Sequence, residues 1–339
     1  MRRLPAEWHP QQTVLFCFPR RQGDWGGQLH AVSEAMLYAA NRVQQVCPVT
    51  LIVPDAEHFA RYTERFTGRV VELPANDSWV RDSGPITVLT PTPLRLDFTF
   101  NGWGGKFVAD LDNALPRRLH ARLPPADYAR VPVVLEGGSI ESDGHGTILT
   151  TSRCLLSTGR NDFATKEEVQ AMLRTQLGAR RVLWLDHGEL IGDDTDAHID
   201  TVARFLDPAT IAYVGPPPEG DPQRADFVAM RDQLRQIATG YELLELPWTG
   251  TLRSREDERV LPASYANFLL SNGTLFLPVY DVPADQVAIQ RLSGRGYTIV
   301  PIPSRPFIEQ HGGLHCLTMQ IPADEAYPTA TETSSGSST

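Results

Sequence analysis

The chain of 339 residues has no apolar run approaching the roughly 18 residues that a membrane-spanning helix needs. Its start, Met1-Arg2-Arg3-Leu4-Pro5-Ala6-Glu7-Trp8-His9, is followed by Pro and Gln instead of an apolar stretch, so no signal peptide is expected and a cytoplasmic address is. Cysteine is scarce: Cys17, Cys47, Cys154 and Cys316 are too few and too scattered for a disulfide scaffold, and no pair has the spacing of a zinc site. Positive charge is also short, with 31 basic against 41 acidic residues and a net charge of −10. That balance argues against nucleic acid and anionic membranes as partners and favours cationic ligands. What remains is a soluble, folded composition, with 41% hydrophobic and 21% charged residues.

Apolar periodicity alternates between strand and helix along the whole chain. Thr13–Phe18 reads as a strand, and from Leu29 to Val46 apolar residues recur at three- and four-residue steps, as on a buried helix face. The pattern predicts further helices over 56–66, 109–121, 165–178, 221–238 and 284–293, the fourth of these six opening on the Thr165-Lys166-Glu167-Glu168 capping box. Strands are predicted at 49–53, 70–73, 85–90, 95–100, 131–135, 147–151, 181–185, 202–206, 211–214, 243–246, 275–279 and 298–302. The later helices start at intervals of about 55 to 65 residues after one longer first interval, which suggests five similar α/β modules in one domain over 1–328. The end, 329–339, is rich in Ser and Thr without apolar anchors and is expected to be a disordered tail.

Five stretches combine Gly with acids, Trp, His or Cys at expected loops or strand ends: Asn76–Pro85, Phe100–Lys106, Leu135–Ser139, Gly192–Asp200 and His311–Cys316. Cys316 follows two glycines and a histidine, a context that turns the backbone and is expected to expose the thiol. His198 and Asp200 alternate across Ile199, so on an extended strand they share a side. Asp193, Asp194 and Asp196 read individually as turn formers; they lack the Gly-centred spacing of a calcium loop, so no metal is expected. Asp82 next to Arg81 has a turn reading, whereas Glu136 ends an apolar strand and needs a cationic partner there. Trp79 and Trp103 fit either a core or a wall facing a cation. Carboxylates, a His and a Cys without metal suit a planar cationic substrate: the acids grip a guanidinium and the thiolate attacks its carbon. A Cys-His peptidase would gain nothing from several acids around its scissile carbon.

At these residues the chain resembles the agmatine deiminase and bacterial-type peptidylarginine deiminase family of the guanidine-modifying superfamily. The resemblance runs through Leu4–Trp8, Asn76–Asp82, Phe100–Lys106, Leu135–Ser139, Asp193–Asp200 and Leu314-His315-Cys316, with Asp24 and Trp25 matching a further short pattern. It implies a five-bladed α/β propeller (pentein) of ββαβ modules around a central active-site channel, and no cofactor. It further implies Cys316 as nucleophile, His198 as general acid/base, Asp82 and Asp200 as guanidinium-binding carboxylates, and Glu136 as the partner that orients His198. The implied reaction converts agmatine and water to N-carbamoylputrescine and ammonia. Deimination of free or peptidyl arginine, amidinotransfer and guanidinium binding without catalysis are the alternatives. Two positions depart from the family pattern: His311 and Ala197 stand where glycines are usual. Charge favours agmatine over arginine, since Asp193, Asp194 and Asp196 attract an amine and repel a carboxylate, with Asp194 as the candidate amine partner and Trp79 and Trp103 beside it. The oligomeric state is open, a homodimer being one option.

Overall fold

The computed structural model describes residues 2–324; the expected tail at 329–339 lies outside them. The strands form five small sheets among the described residues. In the first, β1 (Gln11–Cys17) runs parallel to β2 (Val49–Val53), and β2 to β3 (Arg69–Glu72). The second holds β4 (Ile86–Val88), β5 (Leu94–Thr99) and β6 (Asp127–Val134); the third holds β7 (Ile140–Ser142), β8 (Thr147–Thr151) and β9 (Arg181–Leu185). The fourth holds β10 (Ala203–Asp207), β11 (Thr210–Val214) and β12 (Glu242–Leu246), and the fifth β13 (Leu269–Ser271), β14 (Thr274–Val279) and β15 (Thr298–Pro303). β16 (Thr318–Pro322) returns to pair antiparallel with β1.

Each sheet repeats one rule: an antiparallel pair, then a parallel pair reached across a helix. Parallel neighbours require such a crossover, which here is Leu29–Gln44, Leu115–His120, Lys166–Leu177, Arg224–Ile237 and Ala284–Leu292 in turn. The Lys166–Leu177 helix shows how sequence sets its limits. Thr165 Oγ1 accepts from the Glu168 backbone N–H at 3.2 Å, Glu168 returns the bond to the Thr165 N–H, and Gly178 ends the helix at φ 76°. Val169, Leu173 and Leu177, four residues apart, form its buried stripe.

Two helices are shorter than predicted. The 56–66 segment forms one helical turn at Ala56–Phe59, capped by Asp55, and a separate 3-10 turn at Thr63–Arg65. The 109–121 segment is helical only over Leu115–His120, behind a 3-10 turn, with Pro in its first turn. Three short strands, β7, β13 and β16, were not predicted. Each of these opens or closes a sheet where a site residue has just been presented.

Candidate active site

Five turns, each directly preceding one of these sheets' antiparallel strands, carry the polar residues of the site. Asp82 lies in the helical turn Val80–Ser83 before β4, and Glu136 caps the turn Gly137–Ser139 before β7. His198 and Asp200 belong to the turn at Ile199–Thr201 before β10; Asn267 precedes β13, and Cys316 sits in the turn His315–Leu317 before β16. His198 and Asp200 therefore do not share a side by alternating along an extended strand; they precede β10 in a turn, within the stretch expected to be a loop or strand end. His198 caps a 3-10 turn, and that turn delivers both side chains to the same centre.

Gly138 shows how closely the turns meet. A methyl group there would lie 2.6 Å from His198 Nδ1, 2.9 Å from Asp82 Oδ1 and 3.1 Å from Asp200 Oδ2, so only glycine leaves room for the three side chains. Its own N–H donates to Asp82 Oδ1 at 2.9 Å, and the Trp103 indole N–H donates to Asp82 Oδ2 at 3.0 Å. Trp103 thus orients a carboxylate as well as lining the cleft. Its backbone is left-handed at φ 55°, between glycines that share that conformation. Gly312 approaches the Trp79 ring in the same way, a methyl there meeting Cζ3 at 2.3 Å.

His198 is fully buried between two acids, with Nδ1 3.6 Å from Asp82 Oδ1 and Nε2 3.6 Å from Glu136 Oε2. Neither nitrogen has a hydrogen-bond partner. Burial alone would lower its pKa, but the Asp82 carboxylate, Cys154 and Glu136 outweigh it and push the imidazole well above its ordinary value. Burial raises Asp82 despite His198, whereas His315 overcomes burial at Asp200 and holds that carboxyl low. At Glu136 burial is likewise overcome, by His198 and Arg160. The acids therefore differ in character, Glu136 and Asp200 being held as carboxylates.

Cys316 is buried at 5% exposure, so its thiol forms part of the cleft wall and is not the exposed group predicted. Asn267 Nδ2 donates to its sulfur at 3.4 Å, and Asp200 Oδ2 lies 3.8 Å away. Burial, followed by Asp200 and Asp82, pushes the thiol well above its ordinary pKa. Both shifts run toward the protonated form, of the imidazole at His198 and of the thiol at Cys316.

Above the thiol the cleft is lined by Asp24, Asp77, Trp79, Asp82, Trp103, Phe107, Asp194, Thr195, Gln310, His311 and Gly312. Of the three predicted loop acids, only Asp194 faces it. Asp193 accepts from Thr195 and the Ala197 N–H, and Asp196 pairs with Lys106 at 2.8 Å and Arg160 at 2.6 Å. Burial raises Asp194 and lifts Asp77 to about 6, the latter also repelled by Asp24 and Asp194. His311 takes a left-handed backbone, φ 69°, and its Nδ1–H donates to the Gly192 carbonyl at 2.7 Å, tying the cysteine loop to the acidic loop. Ala197 is left-handed too, at φ 64°. Both departures from the family's glycines keep a conformation that glycine adopts freely.

Sequence reasoning missed several contributors. Arg160, fully buried, donates from Nε to both Glu136 oxygens at 2.9 and 2.8 Å and from Nη2 to the Thr195 carbonyl. Cys154, which carries no signal in the sequence, lies 3.9 Å from Glu136 Oε2. Glu136, Cys154 and His198 offer donor atoms close enough to share a cation, as do Glu7, Glu141 and His315. In both sets the acids already face a guanidinium, from Arg160 or Arg204.

Residues 3–322 match the family described as Porphyromonas-type peptidyl-arginine deiminase. The chain belongs to that family. Among solved structures it resembles a Cys-to-Ser variant of C. jejuni agmatine deiminase with substrate bound, at 34% identity and a TM-score of 0.90, covering 95% of this chain and 96% of the other. It is 29% identical to the agmatine deiminase of Enterococcus faecalis, with a TM-score of 0.88 and 96% of each chain covered. A likeness of fold alone links it to an amidinotransferase from Microseira wollei, with 11% identity, a TM-score of 0.57, and 95% and 97% coverage. Among the described residues no helix is long and apolar enough to cross a membrane.

Proposed function

We propose that this protein is a cytoplasmic agmatine deiminase, hydrolysing agmatine to N-carbamoylputrescine and ammonia, and that its five sheets are the blades of one α/β propeller domain. The observation that carries the substrate assignment is the lining of the cleft: Cys316 and Asp82 at its base, Asp24, Asp77 and Asp194 around it, and no Arg or Lys among its described lining residues. Arg81 turns away to Gln320 Oε1 at 2.6 Å, and Lys106 to Asp196, so neither serves a substrate carboxylate. An α-carboxylate of arginine would enter a field of acids, while the amine of agmatine gains from it.

In the proposed reaction the guanidinium lies between Asp82 and Asp200, and its charge lowers the Cys316 thiol so that it gives up its proton to solvent and becomes a thiolate. The sulfur forms a bond to the guanidinium carbon, giving a tetrahedral adduct. Protonated His198 transfers its proton to one amino group, the C–N bond breaks and ammonia leaves, producing a thiouronium on Cys316. His198, now neutral, takes a proton from water as its oxygen bonds to the same carbon. The C–S bond then breaks with its electron pair returning to sulfur, the hydroxyl proton of the adduct passes to that thiolate, and the neutral urea departs, leaving a Cys316 thiol and a protonated His198 for the next cycle. Glu136, fixed by Arg160, stabilises the imidazolium at the start of each cycle.

Product analysis across agmatine, free arginine and an arginine-containing peptide tests the reading, scoring urea-type product and ammonia together. A kcat/KM for agmatine at least tenfold above both others is expected, with the ratio to arginine falling in Asp194→Asn, on a discrimination of about 1 to 3 kcal/mol. Equal or greater turnover of arginine or the peptide overturns the substrate. An unchanged ratio in Asp194→Asn removes only the role of that residue.

A further inference from the structure

The motif Leu4-Pro5-Ala6-Glu7-Trp8 lies over 300 residues from the nucleophile in sequence, yet Glu7 reaches the back of its turn. His315, 1% exposed, stands between them. Its Nδ1 is 2.7 Å from Asp200 Oδ2 and its Nε2 is 2.6 Å from Glu7 Oε2, so each ring nitrogen faces a carboxylate oxygen. A ring with a proton on each nitrogen donates to both. Glu7 is itself immobilised: Oε2 also accepts from Arg204 Nη2 at 2.6 Å, and Oε1 accepts from the Leu270 N–H at 2.7 Å. Arg204 is held in turn by Glu141 at 2.6 Å. The His315 backbone is pinned as well, its N–H donating to Asn267 Oδ1 at 2.9 Å.

At the far end of this chain Asp200 Oδ1 is buried and has no partner. One oxygen of Asp200, the one 3.8 Å from the Cys316 sulfur, is therefore fixed by His315, and the other carries no hydrogen bond from the protein. We propose that His315, braced by Glu7, is a positioning residue for the deimination: it sets the rotamer of the Asp200 carboxylate so that the guanidinium meets a fixed acceptor. The role rests on the proposed reading that Asp200 grips the guanidinium. Glu7 thereby gives the N-terminal motif a place in catalysis without touching substrate.

The test combines a double-mutant cycle with a structure. His315→Gln keeps one amide donor but cannot face both acids, and kcat/KM for agmatine should fall by about 100-fold, the scale of a misplaced catalytic contact. In an Asp200→Asn background the same change should cost less than about threefold, because contacting residues in one chain of hydrogen bonds are not additive. Glu7→Gln, which leaves His315 in place, should follow the same pattern with a smaller loss and serves if His315→Gln fails to fold. A crystal structure of the folded variant should show the Asp200 carboxylate rotated. Equal losses in both backgrounds, or Asp200 unmoved in the variant, overturn the positioning role. Failure of wild-type enzyme to act on agmatine would overturn the substrate reading instead, and the rotation of Asp200 reads independently of it.

Discussion

The two sides of Asp200 are built on opposite rules. Behind it, Glu7, His315 and Arg204 use both carboxylate oxygens, both ring nitrogens and all three guanidinium nitrogens in bonds to protein. In front of it, His198 has only longer ion pairs, 3.6 Å to Asp82 and to Glu136, and one oxygen of Asp200 is buried without a hydrogen-bond partner. An unmade buried hydrogen bond costs about 1 to 3 kcal/mol, so the free Asp200 oxygen is held in a costly state that the paired scaffold behind it helps to sustain. Stability resides in the rear set of charges, and binding capacity in the front set. A cationic, planar, multiply donating ligand supplies the donor that the free Asp200 oxygen lacks.

That division can be broken most severely at the nucleophile. Cys316→Ala should reduce turnover on the order of 10⁴-fold or more while leaving the melting temperature within a few degrees, since the rear network is untouched. Mass spectrometry of wild type quenched during turnover should show an adduct on Cys316; an adduct on another cysteine would refute the assignment. Gly138→Ala comes next, because its methyl group would enter the space between His198, Asp82 and Asp200. A loss of about 100-fold or more in kcat is expected, and wild-type kcat would show that the front has slack. At the rear, Arg204→Met should instead destabilise the protein by about 3 to 5 kcal/mol by leaving Glu141 buried without its guanidinium and Glu7 with one fewer, read as a lower midpoint in urea. Activity lost without a change in midpoint would contradict the division.

The smallest effects are those of pH. Asp77, lifted to about 6, carries its charge only above that value, so KM for agmatine should rise by about threefold to tenfold as pH falls from 7.5 to 5.5. Asp77→Asn should flatten that dependence. Asp112, nearby, is raised to about 7 chiefly by burial. Its folded pKa exceeds the ordinary carboxylate value, so the stability it contributes is fully present in acid and is lost as pH rises toward 7. The melting temperature should therefore drop less between pH 5 and 8 in Asp112→Asn than in wild type; parallel curves would count against it.

Much of the front was legible in the sequence because its residues stand in long motifs with glycine: Asp82, Glu136, His198, Asp200 and Cys316 meet at one centre as the resemblance implies. The module spacing was legible too, through the crossover helices. Asn267 was not, because Ala266-Asn267-Phe268 carries neither charge nor glycine, and the strand that would have revealed its position, β13, is only three residues long. Arg160 escaped for a different reason. It lies in the loop after β8, and nothing local indicates that Glu136, 24 residues earlier, is its partner. The expected exposure of Cys316 failed, and the alternation of His198 and Asp200 was no guide to their placement, since both sites are presented by tight turns whose burial depends on neighbouring turns. Periodicity within one segment cannot register that dependence.

The pairing of β16 with β1 has a consequence for how the protein is made. The thiol and its positioning histidine are synthesised long after their partners Glu7 and β1, His315 following Glu7 by 308 residues. Closing so long a loop is entropically demanding and slow compared with forming each local sheet. A growing polypeptide can therefore assemble four of its sheets while still lacking a nucleophile. Chemistry switches on only when the last strand docks, so a chain released early is inert rather than partly active.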